Sequence, residues 1–508
     1  MKKVILLGID GADWDIIKPL IADGSLTTFD EVICDGFSGV LNSTIPPFSL
    51  PAWTSIFTGT NPGKHGIIDT IIREAKQFKI ACSNYRMVDP LWRLLGRRGL
   101  TSIIVNEPCS FPPDKLNGIM TTGMMTPPKT DNFAFPSTII PELNKAVGGY
   151  WCDIPDVYYK FIEKNNKKAL DLLNQFATKT FRAGIYLAEN YEWNFLAIIL
   201  TSTDRLQHFY INHPEYVKNH YQLVDKILAS LLSLANSEEA QLIVVSDHGF
   251  KTIKHFFNVN ALLKDLGLQK RNFLHNLFGQ LNPHFRSKLK VLASRMRLAT
   301  KIRLDMNKGE KAFAKTSSGI YVTTTLNSIE KELLIKQLKD VLSRVKGPDG
   351  KPPIKEALRR EEVLWGPYVN RAPEIMLLSN DGYEVASDPF TTKMFETPYY
   401  KNAPLKGAHR LQGIFLAYGS FIKKHFHSKE HIFTWDVTPT ILHILGLPIP
   451  NYMDGHVKKE IFKDGSDPAT RSVKLVNVSR QERFSYQLKN LRKVRNARPN
   501  RAGKRVEK

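Results

Sequence analysis

Several apolar runs in this chain end on, or lead directly to, a carboxylate. VILLGID stops at Asp10, FLAIIL is followed by Asp204 in TSTDRLQH, and LIVVSDHG delivers Asp247 with His248 beside it. His208 stands four residues after Asp204, which is the spacing of one helix face. His409, in KGAHRLQG, immediately precedes a further apolar run. One acid at a strand end is ordinarily a turn or cap residue, and DHG alone reads no differently. Three acids with histidines beside them are a donor set. Carboxylate oxygen mixed with imidazole nitrogen suits Zn2+ or Mn2+ better than Ca2+ and needs no thiolate. Two such ions would also offset the repulsion among clustered carboxylates.

A nucleophile candidate lies in IPPFSLPAWTSIFTGTNPGKHG, from Ile45 to Gly66. Pro51 suits the first turn of a helix and Gly59 the position after its end. Ser49 is then expected just before a helix N-terminus, where free N–H groups and the helix dipole favour anionic charge. That place suits a serine that meets phosphate, and equally a capping serine. GTNPGKHG is one residue short of phosphate-loop spacing and carries His65 where Ser or Thr should hold magnesium. His65 is therefore read as a structural turn residue, and Trp14, Trp53 and Trp435 as core or site-wall aromatics.

These groups converge only if the elements bearing them are layered correctly. Val4–Ile9, Ser102 onward, Phe195–Leu200, Leu242–Ser246 and Gly413–Gly419 read as buried strands. Helical patterns at Asp13–Gly24, Asn165–Asn190, Pro214–Ala235 and Trp435–Gly446 alternate with them. The alternation predicts an α/β fold with a mostly parallel sheet covered on both faces. Ligands of such sheets gather beyond the carboxyl ends of the strands, where the acids fall. From Lys251 to about Asn402 the rhythm changes. The expected organisation is a core of residues 1–250 and 403–467, an inserted cap of 251–402, and a basic tail of 468–508.

The net charge is +22 over 508 residues, and it is concentrated. Between Lys251 and Lys311 there are 14 lysines and arginines against 3 acids; between Arg471 and Lys508 there are 13 against 2. The first stretch is expected to form an amphipathic cap helix, with a membrane-surface or anionic-partner helix as its alternative. The tail offers contacts to phosphates of nucleic acid or anionic lipid. Four cysteines without a CxxC pair fit reduced thiols and a cytoplasmic protein. The N-terminal apolar run is too short for a signal peptide, and no segment has the ~18 apolar residues of a membrane span.

Taken together, GIDGAD, PPFSLPAWTSIFTGTNPGKHGI, TSTDRLQH, VVSDHGF, GAHRLQGIFLAYG and DVTPTILHILGLPIPNYMDG resemble the type I phosphodiesterase/nucleotide pyrophosphatase branch of the alkaline phosphatase superfamily. The resemblance implies an alkaline-phosphatase-like three-layer α/β/α core with an inserted cap, and two divalent ions, zinc being usual and manganese the alternative. It assigns one ion to Asp204, His208 and His409. The other falls to Asp10, Asp247, His248 and Ser49, with Ser49 also the nucleophile of a phosphoseryl mechanism. Hydrolysis of phosphodiesters or pyrophosphates is the implied activity, with a phosphate-ester small molecule or nucleotide as substrate. A phosphomonoesterase or phosphotransferase on the same scaffold is the alternative, and a non-catalytic binder of RNA or anionic membrane is a third reading. Trp53 occupies the arginine position of the sulfatase motif, which argues for an unmodified serine. Where nucleotide pyrophosphatases carry a phosphate-binding Asn, this chain has Asp69 and Thr70, making Thr70 the candidate substrate contact.

Overall fold

A computed structural model of the chain describes residues 2–74, 77–162, 164, 166–270, 310–323, 326–400 and 403–478. The strands that matter for the site are β1 (Val4–Ile9), β2 (Phe37–Asn42), β3 (Ser102–Glu107), β4 (Phe195–Leu200), β5 (Gln241–Val245), β6 (Gly249–Asn258), β7 (Gly407–Arg410) and β8 (Gln412–Tyr418). The central sheet has ten strands in the order Phe426–His427, β2, β8, β5, β1, β4, β3, Gly118–Thr122, Ala134–Phe135, with Ile432–Phe433 also paired to β2. β1 lies between β4 and β5 and is parallel to both, Gly8 standing opposite Ile199 and Val245. β8 enters antiparallel between β2 and β5.

Every residue of β1, β4 and β5 is buried, as a strand covered on both faces requires. Val4 and Leu6 of β1 pack with Trp53, Ile56, Ile199 and Ile441 on one side. Ile5, Leu7 and Ile9 pack with Ile17, Leu173, Leu187 and Leu228 on the other. Helices Asn166–Asn190 and Pro214–Ser237 cover that second face. The expected α/β fold with a mostly parallel sheet is the observed one, in three layers.

β6 runs straight through Lys251, where the basic insertion is expected to begin. Its first half pairs with β7, and its second half with Gly382–Ala386 and Phe395–Glu396. Lys251 does not behave as insertion surface: its ammonium donates to Ser379 O, Ser379 Oγ and Asn380 O. A second sheet of Ala312–Phe313, Gly319–Val322, Ile375–Ser379 and Ile354–Arg359 packs under helix Ser328–Arg344. It has its own apolar cluster, including Leu334, Leu338, Ile320 and Ile375. Most of the expected amphipathic stretch, residues 271–309, lies outside the described residues, as do residues 479–508 of the tail.

The start of that tail is not an appendage. Ile449–Pro450 pairs with Leu475–Val476, His443 Nε2 donates to Pro468 O at 2.8 Å, and Lys459 Nζ donates to Arg471 O. Backbone pairing, which charge counting does not register, fixes this segment. Among the described residues no helix is long and apolar enough to cross a membrane.

Candidate active site

Helices α1 (Trp14–Ala22), α2 (Ser49–Thr58) and α3 (Ser202–Tyr210) follow β1, β2 and β4. Ser49 is the first residue of α2, one position later than expected, with Pro51 inside the first turn and Gly59 ending the helix at φ 65°. The preceding Phe48 supplies no side-chain cap, and Pro51 has no N–H, so the N–H groups of Ser49 and Leu50 remain available at the helix end. Trp53, one turn on, lies against β1 at Gly8, where a Cβ would collide with the indole. Its Nε1 thereby reaches Asp10 Oδ2 at 3.1 Å.

The predicted donors converge. Ser49 Oγ is 3.3 Å from Asp10 Oδ1 and 3.2 Å from His248 Nε2. His248 Nε2 is 3.5 Å from Asp10 Oδ1 and 3.2 Å from Asp247 Oδ2. Beside them, His409 Nε2 is 3.1 Å from both Asp204 Oδ1 and His208 Nε2, and His208 Nε2 is 3.3 Å from Asp204 Oδ1. The groups adjoin through His248 and His409, whose rings stack with centroids 3.8 Å apart. His248 has a ligand atom within 4.8 Å of the Asp204–His409 pair as well as of Asp10 and Asp247. Thr70 is exposed, and its hydroxyl donates to Asp69. His65 is a buried turn residue, its Nδ1 accepting from Ile67 N–H and its Nε2 meeting Ser55 Oγ.

The hydrogen bonds fix the histidine tautomers. A carbonyl only accepts, so the 3.1 Å contact of His248 Nδ1 with Gly249 O makes Nδ1 the donor. The 3.0 Å contact of His208 Nδ1 with Gly407 O does the same. In the neutral ring of His248, Nε2 is left with a lone pair aimed into the cluster, the arrangement typical of metal-binding imidazoles. For His208 burial acts downward on the pKa but Asp204 raises it, and the ring presents the same lone pair once it loses its proton.

Around His248 this sets lone pair against lone pair, and the buried Asp247 Oδ2 accepts no hydrogen bond among the described residues. The separations of 3.2–3.5 Å between His248 Nε2 and the Asp247 and Asp10 oxygens match the edge of a tetrahedron around one cation, roughly 3.3 Å for bonds of 2.0–2.1 Å. These residues fit a pair of divalent ions.

The charges agree. Burial, with the charges of Asp247 and Asp204, pushes the Asp10 carboxyl well above the usual range, and burial does the same to Asp247, with Asp204 adding to it. For Asp204 burial also acts upward, but the imidazoles of His208 and His409 outweigh it and hold the group well below. Burial, helped by His409, keeps His248 neutral. Carboxylates disfavoured as anions by dry surroundings and by one another are stabilised by added positive charge.

Residue-type reasoning missed the groups that hold this cluster. Gln207 Nε2 donates to Gly11 O at 2.7 Å, tying α3 to the loop after Asp10. Asp13, fully buried, accepts from Asp15 N–H and Phe250 N–H and pairs with Arg410. The sequence signal for Asp13 and Phe250 was their place inside GIDGAD and VVSDHGF.

A serine at a helix end facing an acid–histidine cluster, beyond the carboxyl ends of adjacent parallel strands in a three-layer sheet protein, defines a hydrolase of the alkaline-phosphatase type. The chain belongs to the type I phosphodiesterase/nucleotide pyrophosphatase family, whose profile matches residues 4–409. Phosphonoacetate hydrolase from Sinorhizobium meliloti 1021, solved with phosphonoformate, is similar in fold at TM-score 0.55 and 16% identity, covering 86% of this chain and 94% of that one. Human ectonucleotide pyrophosphatase/phosphodiesterase 5 is similar at TM-score 0.53 and 14% identity, covering 91% of this chain and 100% of that one. No curated protein matches the chain. Family membership makes phosphoester hydrolysis the activity class of this protein.

Proposed function

We propose that this protein cleaves phosphodiester or pyrophosphate bonds through a phosphoseryl intermediate on Ser49, using two divalent ions, zinc by the character of the donors. The observation that carries the reading is Ser49 Oγ at 3.2–3.3 Å from His248 and Asp10, at an uncapped helix end beside a second acid–histidine set. Asp10, Asp247, His248 and Ser49 would hold one ion, and Asp204, His208 and His409 the other. Bound there, the pair supplies Lewis-acid charge that makes a hydroxyl nucleophilic at neutral pH and offsets charge on a departing oxygen.

The chain's own part is positional and electrostatic. Ser49 Oγ loses its proton to solvent water and bonds to phosphorus while the bond from phosphorus to the leaving oxygen breaks, that oxygen taking up a proton in return. Water then attacks the phosphoserine from the opposite side, and Ser49 is restored. At a helix end that Phe48 does not cap, the N–H groups of Ser49 and Leu50 would stabilise the charge that phosphoryl oxygens gather. Trp53 keeps Asp10 oriented from behind. The second sheet and helix Ser328–Arg344 would act as a cap over the site, and Arg371 ties that part of the chain to the segment that follows α2 by donating to Gly66 O and Tyr85 O.

The test uses purified full-length protein reconstituted with Zn2+ or Mn2+, assayed on bis-p-nitrophenyl phosphate and on the monoester. The diester is expected to turn over faster, and Ser49→Ala to abolish turnover while fold and metal content survive. Faster monoester turnover would overturn the diester assignment, and normal turnover by Ser49→Ala would remove Ser49 from the mechanism.

A further inference from the structure

One uncharged residue touches every imidazole of the cluster. The ring of Phe250 packs edge-on against His208 with centroids 4.9 Å apart, against His409 at 5.3 Å, and at a tilt against His248 at 6.0 Å. These histidines come from α3, from β7, and from the turn between β5 and β6, so no covalent neighbour sets their mutual distances. Phe250 lies directly opposite His409 in the β6–β7 ladder.

The ring itself is held from several directions. Gly11 and Gly407 flank it so closely that a Cβ on either would come within 2.9 Å of a ring carbon. Gly11 has φ +73° as well, so the backbone there favours glycine twice over. The Phe250 backbone N–H donates to Asp13 Oδ2 at 2.8 Å, and Asp13 also pairs with Arg410, the chain neighbour of His409. Ring and strand are thus fastened to the loop that carries Asp10.

We infer that Phe250 is a positioning residue of the bimetallic pocket: a wedge, locked by Asp13, that fixes the spacing between the two donor sets. This rests on the two-ion reading above. Phe250 offers no ligand atom. Its ring packs against all three imidazoles at once, so its volume bears on where each of them sits. Groups behind metal ligands typically change affinity about 10–100-fold when removed.

Zinc titration of the full-length protein against a chromophoric chelator, read beside the melting temperature of the metal-free form, tests this. Wild type is expected to take up two Zn2+ per chain. Phe250→Ala is expected to bind at least one of them about tenfold or more weakly. Phe250→Leu, which restores much of the volume, is expected to recover part of the loss, and Asp13→Asn to reproduce it more mildly. In turnover, kcat should fall with KM little changed. Wild type that binds no zinc would sink the two-ion reading. Wild type that binds two, with Phe250→Ala binding two within a factor of about two in affinity, would overturn the positioning role. Should Phe250→Ala fail to fold, the same criterion applies to Phe250→Leu and Asp13→Asn.

Discussion

Trp53 shows how much one side chain can decide. Its indole N–H satisfies one oxygen of a buried carboxylate, Asp10, leaving the other to face Ser49 and His248. Trp53→Phe removes the donor and also part of the buried indole that packs over Gly8, so the expected cost is at least that of an unsatisfied buried acceptor, about 1–3 kcal/mol, with a cavity term added. Turnover should fall by about tenfold or more as Asp10 loses its fixed orientation, measured on the same diester. Glu107, at the end of β3, supplies a pH signature. Burial raises its pKa from 4.5 to about 8. Between those values the folded chain keeps a proton that the unfolded chain has released, so the folded state binds more protons and stability falls as pH rises. Below about pH 4.5 both states are protonated and the effect is absent. Glu107→Gln should therefore melt higher than wild type at pH 8, with the gap closing toward pH 4. A gap that widened toward acid would contradict the assignment. The metal-ligand candidates were legible as residue types because an acid that ends an apolar run stands out. Phe250 and Asp13 were legible only as members of VVSDHGF and GIDGAD, not by role: one has no titratable group, and their contact joins residues 237 positions apart.

Among the elements, α2 is the most exacting. All ten of its residues are buried, and it stops at Gly59 in the left-handed region. A Cβ there would meet Met453 Sδ at 2.9 Å and Pro439 Cδ at 3.2 Å. Gly59→Ala should cost about 1–2 kcal/mol from backbone strain alone, with crowding in addition, read as a lower midpoint in urea. An unchanged midpoint would mean that the helix end relaxes freely. The start and stop of this helix were legible because proline and glycine have few other uses at such places. β6 was less so. Its alternation is real, but Lys251 broke the apolar pattern, and only three acceptors from Ser379 and Asn380 make a buried lysine affordable.

At the scale of the whole molecule, strand ends at one edge of the sheet bring together residues from Asp10 to His409, and the rest of the chain closes around them. The three-layer order was readable from alternating buried strands and amphipathic helices. Where the body stops was not, because the pairing of Ile449–Pro450 with Leu475–Val476 leaves no compositional trace. Truncation after Ser466 is expected to give a melting temperature more than about 2 °C below that of the chain truncated after Val478. Equal melting of both would mean that the paired segment contributes nothing. The most direct measurement for the account is a crystal structure of zinc-loaded protein phased at the zinc edge. Two anomalous peaks about 4 Å apart are predicted, one among Asp10, Asp247, His248 and Ser49, the other among Asp204, His208 and His409. One peak, or peaks lying away from these side chains, would contradict it.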